Sequence, residues 1–425
     1  MIEMGEELQV LGAESKQKNR RRWVLGILGF VAVITVVAGL SLIVRYAIKG
    51  ALDYDEELMQ NDGLRPSGDT TIIPALQDAV DSLLNDKLTE INGLHGQAIV
   101  MEVQTGEILA MAGKERRFDG KFQSCRNFHY QQELGALMQT ASLLTLLEMG
   151  VDSSYVVHTE NGIWEMGDGW VMRDHNWRRG GYANVNLARA LEVSSNIGIS
   201  MPIWKFYKGH EQDFFDDLNR MSFGQPDFIE GIEGLKPATY NSPKDSDWVN
   251  KLVIWSAIGY YREIAPIQML TFYNAIANDG KMMKPTLKTG EIEIINPQIA
   301  SEENIKKIQV ILDHVVSQGL GRKAGLPLMR VAGKTGTSQV GEYEFGEDTY
   351  VTEYQVAFCG YFPADMPKFS IIVSMNKLGL PASGGGMAGV VFHNIVEWML
   401  LHGMPTVKML YEETGDTVKI TSPRK

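Results

Sequence analysis

The chain has 425 residues, 44% of them hydrophobic, enough for one large domain or two of ordinary size with a sizeable core. A formal net charge of −12 argues against a nucleic-acid partner, which would need clustered Lys and Arg. Average usage of glycine (43) and proline (15) argues against long disordered tracts. The two cysteines, Cys125 and Cys359, form no Cys-x-x-Cys pair and no Cys/His cluster of zinc spacing, so neither a metal nor a cofactor is expected.

Taken in order, residues 1–22 are polar and end in a basic cluster of Lys16, Lys18, Arg20, Arg21 and Arg22. Residues 23–44, WVLGILGFVAVITVVAGLSLIV, carry no charge over 22 positions, long enough to cross a hydrocarbon core about 30 Å thick. The basic flank places the N-terminus in the cytoplasm and the rest of the chain outside, on a single-pass anchor. A cleaved signal peptide is the rival, but its apolar core would be shorter and a small-residue cleavage site would follow. Residues 45–69 are polar and read as a linker. Outside the cytoplasm the two cysteines could form one disulfide or stay as separate thiols, and the sequence leaves both open.

The main domain is expected over residues 70–402. Pro74 opens a helix with Leu76, Val80, Leu83, Leu84, Leu88 and Ile91 on one face. QAIVMEV and ILAMAG follow as two strands joined at Gln104–Glu107. The middle of the chain is read as mostly helical, with one clear helix from Pro266 to the stop at Asn278, Asp279 and Gly280. TEYQVAFCGYF and KFSIIVSMN are two late strands around a turn at Pro363–Pro367, and a last helix covers about Ala388 to Leu401. Residues 403–425 are a polar tail expected to fray. Strands at both ends around a helical middle predict an α+β domain.

Two short motifs stand out. Lys334, Thr335, Gly336 and Thr337 lie in VAGKTGTSQV, on a short apolar segment before two strands, where an edge strand would line a cleft. The lysine offers a positive charge, the threonine hydroxyls can hold a carboxylate, and the glycine admits a substrate backbone. Ser194, Ser195 and Asn196, in LARALEVSSNIGIS, read by themselves as a capping turn between two helices. The stretch NGIWEMGDGWVMRDHNWRRGGY carries Trp164, Trp170, Trp177, Asp168, Asp174 and His175; core packing plus a solvated loop is favoured there over a glycan groove. His158 and His175 have no partners at metal-ligand spacing. Asp348 and Glu353 read as a polar lip of the cleft.

Together the Ser-x-Asn and Lys-Thr-Gly elements resemble those of the penicillin-recognising serine enzymes. The resemblance covers most of residues 70–402. GQAIVMEVQTGEILAMAG is similar to the family's first hairpin and AIGYYREIAPIQMLTFYNAIANDGKMMKP to its long helical segment. SQGLGRKAG looks like the turn before Lys-Thr-Gly, and AFCGYFPADMPKFSIIVSM like the closing strand pair. With an N-terminal anchor, the chain looks like a class B, monofunctional penicillin-binding protein of the bacterial cytoplasmic membrane, with a transpeptidase-like domain of the serine β-lactamase type. Such proteins carry a large pedestal between anchor and catalytic domain, where this chain has only residues 45–69, so the domain is expected near the membrane.

The family's first motif, Ser-x-x-Lys at the start of a buried helix, falls on YQQELGALMQTASLLTLLEMG. There Ala136 stands at the nucleophile position, Gln139 at the base position and Leu134 where a proline is usual. In the family the hydroxyl attacks a D-Ala-D-Ala carbonyl or a β-lactam, and the lysine one turn on takes its proton. A methyl has no lone pair to attack with, and a neutral carboxamide is no base. Ser-x-x-Lys recurs at Ser15/Lys18, Ser374/Lys377 and Ser422/Lys425, but in a cytoplasmic segment, on a strand where residues three apart face opposite sides, and in the tail. The resemblance therefore implies a non-catalytic scaffold or regulator among wall-synthesis or division proteins. Its alternatives are a non-covalent binder of peptidoglycan stem peptides through Ser194, Asn196, Lys334, Thr335, Gly336 and Thr337, or a residual D,D-peptidase using Ser194 beside Lys334.

Overall fold

A computed structural model describes residues 70–402 apart from 247, 328 and 345–349. The basic tail 1–22, the expected anchor 23–44, the linker 45–69, the tail 403–425 and Asp348 lie outside the described residues, and among those described no helix is long and apolar enough to cross a membrane.

Elements follow in chain order. Helix α1 (Pro74–Glu90) precedes β1 (Gly93–Glu102), β2 (Ile108–Arg116) and β3 (Phe122–Ser124). Helix α2 (Met138–Glu148), β4 (Val156–Glu160), β5 (Ile163–Glu165), β6 (Val171–Arg173) and β7 (Ala183–Asn186) come next. They lead to α3 (Leu187–Glu192), α4 (Asn196–Tyr207), α5 (Glu211–Arg220), β8 (Thr239–Tyr240), α6 (Leu252–Ser256), β9 (Arg262–Glu263) and α7 (Pro266–Ala277). The chain continues through β10 (Met282–Met283), β11 (Ile294–Asn296), α8 (Glu302–Ser317), β12 (Ala332–Glu344), β13 (Tyr350–Phe362), β14 (Phe369–Leu378) and α9 (Ala388–Leu401).

The centre is a six-stranded sheet in the order β12-β13-β14-β1-β2-β3, with the first and last parts of the chain joined by β1 against β14. The pairs β13–β14, β14–β1, β1–β2 and β2–β3 are antiparallel. Strand period sorts the side chains. Ala98, Val100, Val356, Phe358, Ile371 and Val373 pack with Leu76, Val80, Leu84 and Leu88 of α1 and Val391, Phe392 and Ile395 of α9. Ile99, Met111, Ala357, Cys359 and Ile372 face the helical half of the domain instead. Cover on both faces is why these strands read as unbroken apolar runs. The α+β expectation, the first hairpin, the late strand pair and the helices at Pro74, Pro266 and Ala388 are all present.

Two readings change, and one left open is decided. The middle of the chain is interrupted by two-stranded ribbons, β4–β7, β5–β6, β8–β9 and β10–β11, whose strands are two to five residues long. Glu353 does not sit on a lip: it lies on β13, buried, and its Oε1 accepts from Asn376 Nδ2 at 2.5 Å. Cys125 and Cys359 are both buried free thiols.

Candidate active site

The site forms where the segment before α2, the turn between α3 and α4, and the edge strand β12 meet. The first is pinned at both ends. Gln132 exchanges backbone hydrogen bonds with Ile264 at 3.2 and 3.1 Å, and Tyr273 Oη donates to Leu137 O at 2.9 Å. A 3-10 turn, Gly135–Leu137, then carries the chain into α2. Gly135 has φ of 56°, and a Cβ there would stand 2.7 Å from Thr337 O. A Cβ on Gly336 would stand 2.4 Å from Leu134 O. Glycine at both positions therefore lets β12 lie directly against the segment that carries Ala136. Helix α2 is buried on nearly every side, so Gln139 on its first turn is enclosed in protein with 0% exposure.

The turn between α3 and α4 is built by capping, as its composition suggested. Ser195 is the N-cap of α4 and its Oγ accepts from Gly198 N at 2.8 Å. Ser194 takes a left-handed φ of 54°, which turns its hydroxyl toward α2 and β12. Beneath the turn lies Asp174, fully buried. Its carboxylate accepts from Ser195 Oγ at 2.8 Å and from Ile197 N at 3.0 Å. Burial pushes that carboxyl above its ordinary value. Sequence reasoning placed Asp174 in a solvated loop; no spacing or pattern in GWVMRDHNW marks it as the support of Ser194 and Asn196. Its neighbour His175 has a structural hydrogen bond, Nε2 to Tyr182 Oη at 2.6 Å.

These pieces close into one network. Lys334 Nζ donates to Ser194 Oγ at 2.8 Å and to Thr335 O at 3.0 Å. Ser194 Oγ donates to Gln139 Oε1 at 3.2 Å, and Gln139 Nε2 donates to Asn196 Oδ1 at 3.1 Å. Asn196 Nδ2 then donates to Arg173 O at 3.2 Å. Every link runs from donor to acceptor in one direction, which fixes the Gln139 amide orientation. Lys334 is completely buried and forms no ion pair with a carboxylate among the described residues. Burial therefore lowers its ammonium to about 7. Gly336 is buried and Thr337 exposed. Thr337 Oγ1 donates to Gly336 O at 2.8 Å and accepts from Gly384 N at 3.1 Å, so a ligand carboxylate would have to displace its internal bonds. Thr335 is buried, with Gly385 close enough that a Cβ there would lie 3.2 Å from its Cγ2.

The structure thus brings Gln139, Ser194, Asn196 and Lys334 into direct contact and sets Ala136 on the turn just before them. Ser374 and Lys377 lie apart on β14, and Lys377 Nζ donates to Gly379 O and Pro381 O.

The family model described as penicillin binding protein transpeptidase domain matches residues 96–397. Among curated proteins, the penicillin-binding protein PbpB of Mycobacterium tuberculosis is 25% identical over 364 residues, 78% of this chain and 52% of that protein. Stage V sporulation protein D of Bacillus subtilis is 28% identical over 326 residues, 70% of this chain and 48% of that protein. The peptidoglycan D,D-transpeptidase FtsI of Escherichia coli is 24% identical over 330 residues. The chain spans about half the length of these relatives. Among solved structures, the transpeptidase domain of Burkholderia pseudomallei penicillin-binding protein 3 aligns with a TM-score of 0.65 at 23% identity, covering 80% of this chain and 98% of that one.

Proposed function

The chain belongs to the penicillin-binding-protein transpeptidase family, and we propose that within it this member is a non-catalytic scaffold or regulator of peptidoglycan synthesis or division. One observation carries the reading. At the two positions that the Ser-x-x-Lys resemblance assigns to nucleophile and base stand Ala136, with only a methyl, and Gln139, whose amide is tied between Ser194 and Asn196. Covalent chemistry there needs an attacking lone pair and a proton acceptor, and neither side chain supplies one. The bacterial membrane, reached through residues 23–44, and wall-synthesis or division proteins are the proposed surroundings and partners.

The test is labelling of the full-length chain in detergent with a fluorescent penicillin, read together with intact mass. No adduct is expected. A stoichiometric adduct would refute the proposal, and loss of that adduct in Ser194→Ala would identify Ser194, 2.8 Å from Lys334, as a substitute nucleophile.

A second reading, non-covalent capture of a peptidoglycan stem peptide, is favoured by the buried Lys334, which has no carboxylate partner among the described residues. A carboxylate arriving beside it would supply the missing counter-charge. Titration with stem peptides tests it. Saturable binding that Lys334→Met removes supports capture, and no binding at millimolar concentration eliminates it.

A further inference from the structure

The wall of the site nearest Asn196 carries a second set of positive charges, outside the network. Arg173 ends β6, and its backbone O accepts from Asn196 Nδ2 at 3.2 Å. A little further on, the 3-10 turn Trp177–Arg179 adds Arg178 and Arg179. All three arginines are exposed, and among the described residues none of their guanidinium groups forms an ion pair or a hydrogen bond. Neighbouring cations do: Arg189 Nη1 meets Glu192 Oε2 at 2.8 Å, and Lys251 Nζ meets Asp168 Oδ2 at 2.9 Å. Composition does not explain the cluster, since the chain has 52 acidic residues against 40 basic ones.

Trp177 gathers these charges. The Arg173 and Arg178 Cζ atoms lie 5.4 and 5.0 Å from its ring centroid, so the two are at most about 10 Å apart. Like charges that close repel, being within about a Debye length. A free loop would let them separate, but this one is held. Asp174 N donates to Gly162 O at 3.0 Å, Trp177 N to Asp174 O at 3.1 Å and Arg179 N to Asn176 O at 2.7 Å. Gly180 closes the turn with φ of 95°, and a Cβ on Gly181 would stand 2.2 Å from Asn161 C. The backbone beneath the three arginines is therefore set in advance, and a negatively charged ligand need not order it on binding.

We propose that Arg173, Trp177, Arg178 and Arg179 form a docking surface for an acidic segment of a partner protein. Guanidinium forks match carboxylates in geometry as well as charge, and Trp and Arg are the residue types that dominate protein interfaces. Opposite charge on the partner relieves the repulsion within the cluster and selects against other partners. The occupied ring argues against a sugar stacked on Trp177. A bilayer fits less well too, because Trp177 is half-buried in a fixed turn and is not free to insert. The scaffold reading supplies the expectation that a partner exists, and this surface says where and with what charge it docks.

The experiment is fluorescence anisotropy of a fluorescein-labelled peptide of alternating Glu and Gly, titrated with the full-length chain in uncharged detergent at low salt. Saturable binding is expected, with none for the Gln and Gly counterpart. The double variant Arg178→Gln with Arg179→Gln should weaken it by about tenfold. Lys306→Gln with Lys323→Gln removes two exposed charges elsewhere and should change it less than about twofold. Equal thermal midpoints establish that both variants fold. No saturable binding, or equal loss in the two double variants, overturns the proposal. So does tighter arginine-dependent binding to phosphatidylglycerol vesicles or to hyaluronate than to the peptide. No penicillin enters this measurement, so a penicillin adduct would refute the scaffold reading and leave the docking result standing, and the reverse also holds.

Discussion

Replacing Lys334 with methionine isolates the consequence of burying an amine that has no carboxylate partner among the described residues. An unfolded lysine titrates near 10.4, whereas burial brings the folded Lys334 to about 7. Between those values the unfolded chain binds a proton that the folded chain does not, so stability rises with pH. Below about pH 7 both states are protonated and the contribution is flat at its most unfavourable; above about pH 10 it vanishes. Across this window the slope approaches about 1.4 kcal/mol per pH unit, which integrates to roughly 2 kcal/mol between pH 7 and pH 9. Lys334→Met removes the titrating group. It also leaves Thr335 O without its side-chain donor, but that loss does not vary with pH. Urea unfolding followed by tryptophan fluorescence at the two pH values measures both proteins. The stability of the variant relative to the parent should fall by about 2 kcal/mol from pH 7 to pH 9, since only the parent gains. An unchanged difference would show that Lys334 is ionised normally in the fold and would refute the reasoning from its burial.

Two further outcomes follow from the same network. If the proposed assignment of Ala136 and Gln139 holds, the double variant Ala136→Ser with Gln139→Lys places a hydroxyl and an amine one helical turn apart beside Ser194 and Lys334, so it should give a covalent adduct with fluorescent penicillin by intact mass; absence of adduct would count against that assignment or mean that the cleft beside β12 does not admit the ligand. Asp174→Ala leaves Ser195 Oγ and Ile197 N without their acceptor at a fully buried position and should lower stability by about 3 kcal/mol in urea unfolding; a change below about 0.5 kcal/mol would show that the turn bearing Ser194 holds itself.

The sequence by itself determined the elements whose side chains repeat over many residues. Leu76, Val80, Leu84 and Leu88 define a helical stripe, and apolar runs such as ILAMAG and SIIVSM identify strands covered on both faces. It also determined the chemistry available at two positions, because a methyl at Ala136 and a carboxamide at Gln139 have the same reactivity in any fold. Tertiary structure decided what those groups touch. That Gln139 bonds Ser194 and Asn196, 55 and 57 residues away, depends on where three separate segments converge, and no local pattern encodes it. The same holds for Glu353, polar in sequence yet enclosed on β13 beside Asn376, and for Asp174, which supports a turn from beneath. A polar residue has no periodicity that reports its burial; only the packing of distant segments decides whether water or protein satisfies it.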